Sequence, residues 1–344
     1  MTEITRIGVD TSKAVFTLHC VDEKDRPVLR LNLRRGQFLG FFRKQQPAIV
    51  ALEACGSSYH WARELTALGH TVRLLPPQYV KPYVKRGKND QKDAEAICEA
   101  AGRPGMHFVP TKTLEQQADG MVLKARDMLI GQRTALINTV RGHAAEFGLI
   151  TAKGAANVEV LFPAIEQQSD IPLVAKEMFA MFRQQISDIN ERIAELDARV
   201  NAMHKTSALS RRLATIPGVG PITALTLTIE IDAAQFESGR HLAAWAGLTP
   251  KDHSTGGKQR LGVITRAGNE TLRRLLVSGA TAVIRVASKP GNRQMTEWLR
   301  ALLARKPRKL AAVALANKMA RIAWALMRSG ETYRREATPA VASV

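Results

Sequence analysis

Residues 4–33 read "ITRIGVDTSKAVFTLHCVDEKDRPVLRLNL". Three apolar runs stand here in succession: "ITRIGVD", "AVFTLHCVD" and "PVLRLNL". Each is rich in β-branched or alternating apolar residues, and short polar turns part them, so the three can pair as a meander. The first run ends in an aspartate, Asp10. Beyond them "GQFLGFFRKQQ" has helical spacing. "PAIVALEA" is a buried-strand run that carries Glu53 at its end. "SYHWARELTALG" reads as a helix closed by glycine, and "HTVRLLP" as a strand broken by Pro76 and Pro77. "NDQKDAEAICEAA" reads as a helix with Asn89 or Asp90 near its cap.

Three strands, a helix, a strand, a helix, a strand and a helix form the order of a ribonuclease H-like α/β domain. From about 112 to 205 the pattern turns helical. Phe182, Ile186, Ile189, Ile193, Leu196, Val200 and Met203 repeat at alternating steps of four and three, a heptad seam. Two readings fit that seam: packing against the same chain, or a coiled coil that builds a dimer. The stretch 148–172 separates it from an earlier helix over about 112–147, so two long helices form a hairpin or arm. The last third begins at "LATIPGVGPITALTLTIEI". Gly218 and Gly220 sit there either in a helix–hairpin–helix turn that offers N–H groups to phosphates or in a plain turn between helices. The expected domains are 1–111, 112–206 and 207–335, with a disordered tail at 336–344.

Composition narrows the partner. The 344 residues carry a formal net charge of +19. Self-repulsion of that size is relieved by a polyanion, nucleic acid first and an anionic membrane surface second. No apolar run reaches the roughly 20 residues of a spanning helix. The opening "MTEITRIGVD" lacks the basic and apolar regions of a signal peptide. The expectation is a soluble, cytoplasmic chain without a membrane partner. Cys20, Cys55 and Cys98 are odd in number and form no CxxC pair, which argues against a disulfide framework or a cysteine zinc site.

Asp10, Glu53, Asp90 and Asp93 carry the chemistry. Two end buried strands, and Asp90 and Asp93 share one helix face at i, i+3. Mg²⁺ prefers carboxylate oxygen. Two such ions roughly 3.5–4 Å apart can clamp both oxygens of a phosphodiester displacement. Lys85, Arg86, Lys88 and Lys92 lie beside these acids and would draw in the polyanion. Far along the chain, "DHSTGGKQRLG" at 252–262 combines Ser254, Thr255, Gly256, Gly257, Lys258 and Arg260. It lacks the spacing of a Walker-type phosphate loop. The glycines would let backbone approach a phosphate, and Lys258 and Arg260 could hold its oxygens or bind the backbone elsewhere. His253 reads as packing or phosphate contact rather than as a base.

Taken together, "GVDTSK", "LEACG", "NDQKDAEAI", "IPGVGPITA" and "AGLTPKDHSTGGKQRLGVITRAGNETLRRLL" resemble the DEDD transposases of bacterial insertion sequences (insertion sequence 110 family, 1111 subgroup). The likeness spans about residues 4–330, with the motifs in the family's order. It implies a RuvC-like N-terminal domain, a helical coiled-coil arm and a mostly helical C-terminal transposase domain. It implies that Asp10, Glu53, Asp90 and Asp93 bind Mg²⁺, one ion or two, with Mn²⁺ able to substitute. It implies a nucleophilic serine that joins DNA covalently, a non-coding guide RNA that pairs with donor and target DNA, and a dimer of dimers with composite sites. Gly218, Gly220, Arg266 and Arg273 join the basic loops as nucleic-acid contacts. The chain departs from the pattern at Cys55, where threonine is usual, at Asn89, and in the order Ser-Thr-Gly-Gly. Ungapped alignment back from Arg266-Ala267-Gly268 puts Ser254 on the nucleophile; another gap would put Thr255 there. A hydrolytic RuvC-like nuclease using water, and a non-catalytic binding scaffold, are the alternatives.

Overall fold

The computed structural model describes residues 3–85, 87, 89–289 and 296–334. The expected tail at 336–344, Arg86 and Lys88 lie outside the described residues. Two compact units divide the chain, Met1–Leu114 and Glu115–Val344.

The first unit is built on β1 (Arg6–Thr11), β2 (Val15–Val21) and β3 (Pro27–Arg34), the meander expected from the opening stretch. Then follow α1 (Phe38–Phe42), β4 (Ile49–Glu53), α2 (Ser58–Ala67), β5 (Thr71–Leu75), the short α3 (Pro77–Val80) and α4 (Asp90–Ala101). The sheet order is β3-β2-β1-β4-β5. β1–β2 and β2–β3 pair antiparallel, while β1–β4 and β4–β5 pair parallel. This mixed sheet is compatible with the expected RuvC-like order. The helix expected over "GQFLGFFRKQQ" shrinks to α1, after which Lys44 N and Gln45 N close tight turns on the carbonyls of Phe41 and Phe42.

Both faces of the sheet are covered. Ile7, Val9, Val50 and Leu52 face a core with Phe16, Phe38, Phe42 and Trp61. Ala51 and Leu75 face the other way, into Ile97, Ala100 and Ala101 of α4. Side chains alternate along a strand. Gly8 and Asp10 therefore share the α4 face of β1, and Glu53 shares Ala51's. Gly8 is what lets α4 lie directly on β1. A Cβ there would meet the Ala94 carbonyl oxygen at 2.2 Å and the Cys98 nitrogen at 2.5 Å.

The second unit begins with α5 (Leu114–Glu146), which starts at the boundary, then α6 (Leu161–Gln167) and α7 (Leu173–Thr206). Arg126 on α5 pairs with Asp197 on α7, and Arg133 Nη1 donates to Asn190 at 2.9 Å, so the two long helices run antiparallel. Along the heptad seam Ile186, Ile193 and Val200 are buried within the chain, while Phe182, Ile189, Leu196 and Met203 are half-buried. The structure thus shows the packing of the seam on its own chain; an intermolecular coiled coil is not part of what it shows. After these come α8 (Ala208–Leu213), α9 (Pro221–Glu230), α10 (Gly239–Trp245), β6 (Pro250–Asp252), β7 (Leu261–Ile264), α11 (Glu270–Ala287), α12 (Glu297–Arg305) and α13 (Arg308–Ser329). One core of Leu, Ile, Val and Ala holds α8–α13 together.

α13 corrects one expectation. By length and composition it is apolar enough to cross a membrane, although the sequence reading found no such run. Its alanine-rich stripe, Ala311, Ala312, Ala316, Ala320 and Ala323, is buried in that core. Small side chains allow α10 and α11 to pack close against it.

Gly8→Ala tests the close approach of β1 and α4. Overpacking at this contact is expected to cost about 3 kcal/mol in urea unfolding. A loss under about 0.5 kcal/mol, the scatter of a neutral surface change, would contradict it.

Candidate active site

Two strand ends and one helix start converge in the first unit. β1 and β4 are adjacent parallel strands with Val9 opposite Leu52. Asp10 and Glu53 each follow by one residue, so both acids leave the sheet at its carboxyl edge, where open α/β sheets commonly place their chemistry. α4 begins at the same edge. Asn89 is its N-cap and accepts from Gln91 N at 2.9 Å. This cap sets Asp90 and Asp93 in the first turn, where the helix dipole favours negative charge.

Carboxylate oxygens of Asp10, Asp90 and Asp93 all lie within 4.8 Å of one another. Glu53 stands outside this trio but acts on it electrostatically. Asp10 is pushed up to about 6, chiefly by burial, then by the charges of Asp90, Asp93 and Glu53, against a hydrogen bond at Thr11 that lowers it. Glu53 is raised by burial and then by Asp93. Anions crowded in this way repel each other. The donor set is all carboxylate oxygen, half-buried at Asp10 and Asp93 and exposed at Asp90. A hard divalent cation fits such a set, because it takes oxygen ligands and would relieve the repulsion.

The neighbouring cations are arranged differently from a bare basic patch. Lys85 Nζ donates to Glu95 at 2.6 Å, and Arg30 also pairs with Glu95 at 3.6 Å. Lys85 therefore ties the segment before α4 to α4 itself. The Lys92 ammonium would lie 3.2 Å from a Cβ built on Gly87. Cys55, in place of the usual threonine, is exposed and lies 3.8 Å from Thr11 Oγ1 and 3.4 Å from Ser57 Oγ.

In the second unit, "DHSTGGKQRLG" folds as the β6–β7 hairpin. Thr255 and Lys258 bond backbone to backbone in both directions, at 3.3 and 3.0 Å. Gly256 and Gly257 between them have φ of +55° and +73°. Positive φ at both central residues is what a tight type I′ hairpin turn requires. The expectation that these glycines admit a phosphate is thus joined by a structural reason for them. Ser254 sits one step back from the turn. Its Oγ donates to the Asp252 carboxylate and accepts from Arg260 N at 3.0 Å, and its own N donates to Asp252 at 2.8 Å. Lys258 and Arg260 are exposed on the facing limb. The His253 ring is exposed and lies over Gly262, 3.3 Å from where a Cβ would be.

Other expected contacts are dispersed. Arg273 Nη1 donates to the carbonyls of Ala246 and Ala267, at 3.1 and 2.8 Å, and so fastens a turn. Arg266 is exposed, with φ of +56°. Gly218 lies against the backbone of Gly279 on α11, while Gly220 is exposed and caps α9. Only Gly220 of that pair faces outward.

The pairing of Asp252 with Ser254 was missed in the sequence. The signal was there, an aspartate two residues before a serine, the spacing at which a carboxylate hydrogen-bonds backbone two residues on. Gly8 was likewise readable as a glycine inside a strand, a mark of close backbone approach.

Residues 7–147 match a family described as "Transposase", the DEDD type of insertion sequence IS110, and residues 210–296 match "Transposase IS116/IS110/IS902 family". The protein y4pF/y4sB of Sinorhizobium fredii, which its name describes as a transposase, is 52% identical over 97% of this chain and 86% of its own length. The transposase for insertion sequence element IS1111A of Coxiella burnetii is 40% identical over 97% of this chain and 92% of its own. The transposase for IS1328 of Yersinia enterocolitica is 36% identical over 97% and 100%. The family matches and these relatives define a DNA-processing enzyme, a transposase. The chain belongs to the IS110 family of DEDD insertion-sequence transposases, and DNA is its substrate.

The crowding at Asp10 gives a pH prediction. Its folded value of about 6 stands above the ordinary 3.8, so ionising it costs the metal-free fold stability as pH rises between them. Asp10→Asn is expected to raise the melting temperature of chelator-treated protein at pH 7, and the gain is expected to vanish towards pH 4. Equal melting curves at pH 7 would contradict the crowding.

Proposed function

We propose that this transposase cuts and exchanges DNA strands through a covalent phosphoserine on Ser254, with Mg²⁺ or Mn²⁺ held by Asp10, Asp90, Asp93 and Glu53. The observation that carries the metal reading is the convergence of three carboxylates within 4.8 Å. A bound divalent cation would polarise the phosphate and stabilise the charge that develops as a strand leaves. The residues' own part is to fix that cation at the sheet edge, with Asp10 from β1 and Asp90 and Asp93 from α4.

A serine hydroxyl is a weak nucleophile and needs help. Ser254 has it: its Oγ is held by two hydrogen bonds on a short hairpin. Thr255, the competing hydroxyl, uses its backbone to close the turn instead. These contacts support Ser254 as the attacking group. The strand that bears the phosphate is retained as the serine ester while the leaving strand ends in a free hydroxyl, so the bond energy is kept and resealing needs no external energy source. The resemblance supports a guide RNA encoded by the element, which pairs with donor and target DNA. It also supports a dimer of dimers, and work in the cytoplasm on nucleoid DNA. The net charge of +19 suits two nucleic-acid partners.

The test uses the full chain, co-purified with its RNA, and labelled duplex carrying the ends of its element. Wild type is expected to form a denaturant-resistant protein–DNA adduct only with Mg²⁺ or Mn²⁺. Ser254→Ala and Asp93→Ala are expected to lower adduct formation by about 100-fold or more, with DNA binding kept. An adduct that persists in Ser254→Ala contradicts the phosphoserine. A nicked product without any adduct would mark a hydrolytic nuclease that uses water.

A further inference from the structure

We propose that Asp252 is the group that aims Ser254 and takes its proton during attack. The inference rests on the reading of Ser254 as nucleophile and adds its activating partner.

The geometry of one oxygen carries the argument. A hydroxyl offers one donor and two lone pairs. Ser254 directs the donor to Asp252 Oδ1 and one lone pair to the Arg260 N–H at 3.0 Å. One lone pair is left, and it points away from both partners. A phosphorus approaching there meets an oxygen whose orientation is already set and whose proton already has an acceptor.

The hairpin holds that acceptor in place. Asp252 Oδ1 also accepts from Ser254 N at 2.8 Å, so the same carboxylate fixes the backbone and the hydroxyl of its target. His253 N donates to the Arg260 carbonyl at 2.9 Å and locks the facing limb, which fixes the Arg260 N–H in turn. Asp252 is held below the usual carboxylate range, first by the Ser254 hydroxyl, then by the Ser254 N–H, and also by His253. It is therefore anionic at neutral pH. His253, the other nearby base, lies over Gly262 and not on Oγ.

The step balances. The Oγ–phosphorus bond forms as the phosphorus–oxygen bond to the leaving strand breaks. The hydroxyl proton, made acidic as the new bond grows, passes to Asp252. The leaving oxygen takes a proton from water. In resealing the flow reverses, and Asp252 returns the proton to Ser254.

Asp252→Asn keeps the oxygen that accepts from Ser254 N and removes only the charge. The rate of adduct formation is measured at saturating junction DNA with the RNA-loaded full chain. Asp252→Asn is expected to fall about 100-fold, the usual scale of general-base help, while DNA half-saturation moves by less than about threefold. In a Ser254→Cys background the same change is expected to cost under about tenfold, since a thiol ionises near pH 8.5 unaided. Where Ser254→Cys forms no adduct, the pH–rate profile decides. Asp252→Asn is expected to rise with hydroxide over a range where wild type is flat. Lys251 and His253 on the same limb, and Lys258 and Arg260 on the facing one, are unchanged in both proteins. An Asp252→Asn rate within about threefold of wild type, an equal loss in serine and cysteine backgrounds, or parallel pH profiles would overturn the role of Asp252. If Ser254→Ala keeps the adduct, the nucleophile reading itself fails. If Ser254→Ala loses it and Asp252→Asn does not, only Asp252 is excluded.

Discussion

The contact of α4 with β1 across Gly8 is the constraint on which the rest depends. With no side chain at that point, Ala94 and Cys98 lie against strand backbone. The start of α4 then reaches the carboxyl edge of the sheet, and Asp90 and Asp93 arrive beside Asp10. Parallel pairing of β1 with β4 brings Glu53 to the same edge. Acids from three separate stretches of the sequence become neighbours through one missing Cβ and one strand register.

The result is a place where folding and chemistry oppose each other. Like charges at short range cost the empty protein stability, and Asp10 records this in a value raised to about 6. A helix N-terminus offsets part of the repulsion. On the proposed metal reading a cation would relieve the rest, so the cluster would be costly alone and useful when filled. The hairpin around Ser254 follows a different logic. Two turn glycines close it, and a carboxylate within it orients the hydroxyl. Its parts are local and need no long-range packing to find one another.

Much of this was legible in the sequence, for physical reasons. Strand alternation and Pro or Gly punctuation marked β1 to β5, and the acids stood at readable strand ends. Asn89 was readable as a cap because its side chain suits free N–H groups. The helical arm was visible in the heptad seam, but a seam does not say which surface covers it. α13 escaped notice as an apolar span because Arg and Lys interrupt it, although alanines make one buried stripe. Lys85 was readable as a phosphate contact, but its pairing with Glu95, ten residues on, was not. Ion pairs between side chains so placed depend on tertiary geometry, which spacing alone does not reveal. The Asp252–Ser254 bond lay in plain view as a two-residue spacing.

The most direct measurement is Mn²⁺ binding to the full chain, followed by the loss of the free ion's electron paramagnetic resonance signal. The wild type is expected to take up the ion. Asp10→Asn and Asp93→Asn are each expected to weaken uptake by more than about tenfold, or some 1.4 kcal/mol, while Ser254→Ala and Asp252→Asn leave it intact. Uptake that is unchanged in Asp10→Asn and Asp93→Asn would contradict the carboxylate cluster as the metal centre.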